Sequence, residues 1–153
     1  SNFVICSGAK SILDLSKTNE LLETLGITRI GYQTNYMPGF WYEETENKVD
    51  NKFDEIHEIS SFLKLNENMG NKKSILIFNK VPLEKALNKN DVEKWINNAT
   101  IKADRNNISG KELTPFLIKE INEQSKNETL NANVSLIINN ANLAGKIAKS
   151  FYS

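Results

Sequence analysis

Residues 3–11 read Phe3-Val4-Ile5-Cys6-Ser7-Gly8-Ala9-Lys10-Ser11, a continuous apolar run that stops in a turn of small residues. A run of that kind bounded by Ser-Gly predicts a buried strand ending in a tight turn. Helical spacing follows. Ile12, Leu13, Leu21, Leu22 and Leu25 are apolar, Ser16 or Thr18 is placed to cap, and Gly26 falls where a helix C-terminal glycine is expected. Ile27 to Thr34 returns to strand character. Strand, helix and strand within about 30 residues predict a right-handed crossover and a parallel sheet, since parallel strands cannot be joined by a tight turn.

Outward from this unit, Tyr36 to Asp50 carries Pro38-Gly39 and the aromatics Tyr36, Phe40, Trp41 and Tyr42, and is expected to leave the sheet with room for a short hairpin. Asp54 to Met69 sets Ile56, Ile59, Phe62, Leu63 and Met69 at helical spacing and stops at Gly70. Ser74 to Phe78 reads as another buried strand. After Pro82 the chain reads helical, over Asp91 to Arg105, Glu112 to Gln124 and Leu130 to Phe151. Ser109 and Glu112 have the spacing of a capping box. The last helix is apolar around most of its circumference, which predicts a place inside the assembly. The expected class is α/β: a parallel or mostly parallel sheet flanked by helices (α/β/α), with a helical C-terminal part.

A chain of 153 residues, 39% apolar and 25% charged, fits one ordinary globular domain. Nineteen basic side chains balance nineteen acidic ones, so there is no overall basic field to hold phosphate backbone or an anionic membrane, and neither partner is expected. One cysteine, Cys6, excludes an intrachain disulfide framework and a multi-cysteine zinc site and points to a reducing compartment. One histidine, His57, excludes a histidine-rich metal centre, and a Ser/His triad would have to use it. No apolar run approaches the roughly 20 residues that span a bilayer, so neither a membrane span nor a signal-led export form is expected. The first residue is not methionine and the chain enters almost directly into a strand, as a fragment would.

In an open α/β sheet ligands sit beyond the carboxyl ends of the strands, and Ser7 to Ser11 occupies that position. Lys10 is the residue to explain. Gly8 alone precedes it, whereas a nucleotide P-loop needs two glycines four residues apart, so that motif does not fit. A lysine at the start of a helix, desolvated in a strand-end crevice, is expected to favour the free amine that attacks carbonyls. Lys10 is thus a candidate Schiff-base nucleophile, with a surface lysine in a βα turn as the plain alternative.

On the last helix Asn133 and Asn140 are seven residues apart and share a face, and a buried amide needs partners. Each is either a hydrogen-bonding group at the reacting site or a core amide tying helix to sheet, the latter favoured for Asn140. Other candidates carry plainer readings. Cys6 is a small core hydrophobe and His57 a helix-surface residue. The aromatics around Trp41 either stack on a base, make a subunit contact or pack in their loop. Glu43, Glu44 and Glu46 read as solvated loop charge, and Asp14 either orients Lys10 or caps a local turn.

Taken in order, Ser7-Gly8-Ala9-Lys10-Ser11-Ile12-Leu13-Asp14, Leu22-Glu23-Thr24-Leu25-Gly26 and Ile30-Gly31-Tyr32-Gln33-Thr34 resemble the pseudouridine-5'-phosphate glycosidases, also called pseudouridylate synthases or indigoidine synthase A-like proteins. The resemblance continues through Asn79 to Leu87, Gly110-Lys111, Thr114-Pro115-Phe116-Leu117, Leu130, Asn133, Asn139-Asn140-Ala141 and Leu143-Ala144. It covers essentially the whole chain but only the C-terminal half of the family domain. One departure is Lys80, where the family tends to have the first proline of Asn-Pro-x-Pro.

The resemblance implies reversible cleavage of the carbon–carbon glycosidic bond of pseudouridine 5'-phosphate to uracil and ribose 5-phosphate. It implies that Lys10 bonds to C1' of the opened ribose and that Asn133 contacts the substrate. It also implies a manganese ion, with no metal ligand in this chain, and a homotrimer; a cytoplasmic location is expected as well. The general-acid glutamate, the metal aspartate, a second substrate lysine and most phosphate contacts fall in the family's N-terminal half. The 153 residues alone are therefore expected to be inactive. The rival readings are a phosphosugar-binding module without catalysis and an aldolase-like Schiff-base enzyme acting on another sugar phosphate.

Overall fold

The computed structural model describes residues 2–12 and 14–153. Four strands, β1 (Phe3–Cys6), β2 (Thr28–Tyr32), β3 (Asn51–Phe53) and β4 (Ile75–Asn79), form one sheet in the order β1-β4-β2-β3. Every pairing is parallel, with Ile5 opposite Ile77, Ile77 opposite Ile30 and Ile30 opposite Asn51. β1 and β2 are therefore parallel, but β4 enters between them. β1 becomes an edge strand and is only half-buried, with Val4 44% exposed, in place of the buried strand expected.

The helices are α1 (Leu15–Thr24), α2 (Ile56–Asn68), α3 (Lys89–Arg105), α4 (Leu113–Gln124) and α5 (Glu128–Tyr152). Asp14, not Ser16 or Thr18, caps α1 by accepting from the Lys17 N–H at 3.0 Å, and Gly26 closes the helix end with positive φ. Leu13 lies outside the described residues. At α2 the Glu58 carboxylate accepts from the Asp54 and Glu55 N–H groups. Ser109 makes no side-chain cap bond, so the capping box expected there does not form, and a 3-10 turn over Gly110–Glu112 leads into α4. The strand Asn51–Phe53 was not predicted; only Phe53 is apolar in it.

Two cores share α5. Ile30, Ile75 and Ile77 of the sheet pack with Ile59 and Leu63 of α2 and with Leu143 and Ile147 of α5. Trp41, Val92, Ala99, Ile121, Ala132 and Leu136 form a second, mainly helical core. Its midsection, from Asn133 to Asn140, thus passes from one core to the other at the carboxyl ends of β1 and β4. The opposite stripe of α5 is uncovered: Leu130, Val134, Ile137 and Ile138 are each about half exposed or more. The enclosure expected for this helix is one-sided within the chain.

Candidate active site

Lys10 lies in the turn that leaves β1, and the turn is held on each side. Before it, Gly8 has φ +87°, and a Cβ there would stand 2.0 Å from the Pro38 carbonyl oxygen, so no other residue fits. The Phe40 N–H donates to the Ser7 carbonyl at 3.1 Å. After it, the Ser11 hydroxyl donates to the Gly39 carbonyl. Gly39 is itself confined, since a Cβ would meet the Tyr42 ring at 2.0 Å. The excursion from Tyr36 to Asp50 therefore forms one wall of the turn. A single antiparallel bridge, Tyr36 to Lys48, and the Met37–Asn47 and Thr45–Met37 bonds give it the outline of a hairpin.

Lys10 is half-buried, and among the described residues no carboxylate pairs with it. It does not lie in the first turn of a helix, as the sequence suggested: α1 starts at Leu15, and its positive end is occupied by the Asp14 carboxylate. What positions Lys10 is the packed turn rather than the helix dipole. Asp14 caps α1 and pairs with Lys17 at 3.2 Å instead of orienting Lys10. The Lys17 N–H, with help from the ammonium, holds its carboxyl below the usual carboxylate range.

Three asparagines of α5 reach the strand ends. Asn133 accepts at Oδ1 from the Trp41 indole N–H at 2.6 Å. Among the described residues its Nδ2 has no protein partner. Asn139 donates to the Lys80 carbonyl at 3.1 Å. Asn140 accepts from the Asn79 Nδ2 at 3.1 Å and donates to the Ser7 hydroxyl at 3.0 Å. The helical spacing points to Asn133 and Asn140, but not to Ser7 and Asn79 as partners. The available signal was the Asn139-Asn140 pair itself, two poor helix formers in the middle of a long helix.

The remaining candidates fall elsewhere. Trp41 is 1% exposed inside the helical core, so its ring packs the loop and is closed to a base. Glu43 and Glu44 are not merely solvated: both reach Lys80, at 3.3 and 3.5 Å, and Glu44 also accepts from the Thr34 hydroxyl. Lys80 thus forms an ion-paired link between the end of β4 and the excursion. Glu46 pairs with Lys89. Burial pushes the Cys6 thiol above its ordinary value, which keeps it in the unreactive form. His57 is exposed on α2. Among the described residues no three His, Cys, Asp or Glu side chains converge as a metal site requires. An apolar cavity of about 210 Å³ between Phe3, Ile77, Ile147 and Phe151 lies at the other end of the strands, away from Lys10.

The family model described as indigoidine synthase A like protein matches residues 1–150. The chain belongs to that family. It is similar to the pseudouridine-5'-phosphate glycosidase of Kosmotoga olearia, 44% identical over 145 residues, 95% of this chain and 50% of that protein. The same-named protein of Staphylococcus aureus is 41% identical, over 95% of this chain and 47% of its own length. The chain spans about half the length of the curated relatives it matches. Among solved structures, a prealnumycin C-glycosynthase in complex with ribulose 5-phosphate has a TM-score of 0.90 at 28% identity, over 97% of this chain and 49% of that one. An indigoidine synthase A-like protein of Thermotoga maritima has a TM-score of 0.83 at 33% identity, over 95% of this chain and 48% of its own. These family members carry the same α/β fold.

Proposed function

We propose that this chain contributes the nucleophilic part of a pseudouridine-5'-phosphate glycosidase. The observation that carries it is Lys10, half-buried, without a carboxylate partner and fixed in a packed turn at the carboxyl edge of a parallel sheet. Such an amine suits a carbonyl substrate better than an ion pair. The names of the relatives supply the substrate class, and a sugar phosphate bound to a C-glycosynthase of the same fold agrees with it.

In the synthetic direction the Lys10 Nζ lone pair adds to C1 of ring-opened ribose 5-phosphate, and uptake of one proton with loss of water gives an iminium. The C5 of uracil bonds to that carbon and gives up its proton. The ribose C4 hydroxyl then closes the ring on C1, and the amine departs. Cleavage runs these steps backwards, so that pseudouridine 5'-phosphate and water give uracil and ribose 5-phosphate. An imine is needed because C5 of uracil is a poor leaving carbon, unlike the oxygen that two carboxylates release in ordinary glycoside hydrolysis. Asn133, with Oδ1 held by Trp41, offers its Nδ2 to the substrate. The general acid and the manganese ion implied by the resemblance would be supplied by residues other than these, and no step here runs through the metal. A homotrimer and a cytoplasmic location belong to the same proposal. No helix among the described residues is long and apolar enough to cross a membrane.

The test is borohydride reduction of the full-length protein with ribose 5-phosphate, followed by peptide mapping. A reduced sugar adduct is expected on the peptide holding Lys10, and none in Lys10→Ala. A protein that releases uracil yet shows no adduct at Lys10 would overturn the proposal.

A further inference from the structure

Asn140 stands at a junction that the chemistry of Lys10 does not account for. Its amide meets two buried polar groups on two different strands, the Ser7 hydroxyl at the end of β1 and the Asn79 amide at the end of β4. The Ser7 hydroxyl can also donate to the Asn140 Oδ1, which already accepts from Asn79, and the next-door neighbour Asn139 binds the main chain one residue beyond Asn79. Ser7 is therefore gripped twice, at its hydroxyl by α5 and at its carbonyl by Phe40. Gly8 is pressed against Pro38, so Ala9 alone separates this fixed point from Lys10.

From this geometry we infer that Asn140 is a positioning residue for Lys10. Through Ser7 and Asn79 it sets the ends of β1 and β4, and with them the turn from which the amine meets the sugar aldehyde. The inference rests on the Schiff-base proposal above. Asn140 touches neither the amine nor the reacting carbon through any bond seen here, so its effect runs through Ser7. The physical reason to expect a large effect is that displacing a reacting group by about 1 Å can lower a rate on the order of a hundredfold.

The experiment measures, in the full-length protein, the rate of cyanoborohydride trapping at Lys10 against ribose 5-phosphate concentration. Asn140→Leu is expected to lower the maximal trapping rate about tenfold to a hundredfold while the half-saturating sugar concentration stays within about twofold. Ser7→Ala is expected to act in the same direction, and the double variant to be no slower than Asn140→Leu, because both act through one contact. Asn140→Asp, which keeps an acceptor for Asn79 and for the Ser7 hydroxyl, is expected to recover most of the rate. A wild-type trapping rate in Asn140→Leu, or single effects that multiply in the double variant, would overturn the inference. If Asn140→Leu does not fold, Ser7→Ala decides: an unchanged trapping rate overturns it, and a reduced one rescued in no way by added sugar supports it. Absence of any adduct in the wild-type protein would instead refute the Schiff-base proposal itself.

Discussion

Gly8 shows how a single position fixes the site. With φ +87° and a carbonyl oxygen where a Cβ would go, Gly8→Ala must strain the backbone and push Pro38 away. The expected cost is about 1–3 kcal/mol in chemical denaturation, with loss of borohydride trapping at Lys10. An unchanged melting curve would show that the turn relaxes without cost. Asn133 is argued in the same way from its partner. Asn133→Ala leaves the buried Trp41 N–H without an acceptor, which is expected to cost about 1–3 kcal/mol. Removing that donor as well, in Trp41→Phe/Asn133→Ala, should return part of the loss; strict additivity would show that the bond matters little. The place of Lys10 in a turn after a strand is legible from the apolar run and the Ser-Gly that follows it. The bonds that hold the turn are not, because amides and hydroxyls leave no hydropathy period and Asn140 lies 133 residues from Ser7 and 61 from Asn79.

At the scale of elements, the apolar runs Phe3–Cys6 and Ile75–Phe78 and the helical stripes of α2 and α5 were readable, since burial on one or two faces writes itself into periodicity. β3 was not readable. Asn51 and Lys52 are exposed, and the segment is a strand because the edge of β2 offers it a ladder. The strand order also escaped, because β4, which separates β1 from β2, comes later in the chain than both. Arg29 ties three of these elements together by reaching Glu23 of α1 from β2 and Asp50 just before β3. Burial acts to raise the Asp50 carboxyl, but the hydrogen bonds from the Arg29 side chain and N–H, with its charge, hold it below the ordinary carboxylate range. A carboxyl lowered by folding stabilises the native state above its unfolded value, about 3.9, and that contribution is lost as pH falls through the folded value. Acid titration of stability should therefore steepen below about pH 4, and Asp50→Asn should flatten it. An identical acid limb in the variant would remove Arg29–Asp50 from the account.

For the whole molecule, Leu130, Val134, Ile137 and Ile138 form one exposed apolar stripe along α5 rather than scattered single residues. The 153 residues expressed by themselves are expected to bind the dye ANS, and Ile137→Lys/Ile138→Lys to lower that signal without lowering the melting temperature. They are also expected to release no uracil from pseudouridine 5'-phosphate, since the resemblance sets the general-acid glutamate in the half of the family domain that these residues do not cover. Detectable release would place the acid inside this chain. The bond between Ser7 and Asn140 also sets an order of events during translation. The ties of the Lys10 turn to Gly39 and Phe40 span about 30 residues, whereas the tie to Asn140 spans 133, so the first can form well before α5 has left the ribosome. The long-range closure between Ser7 and Asn140 therefore comes last, after the local walls of the turn are in place.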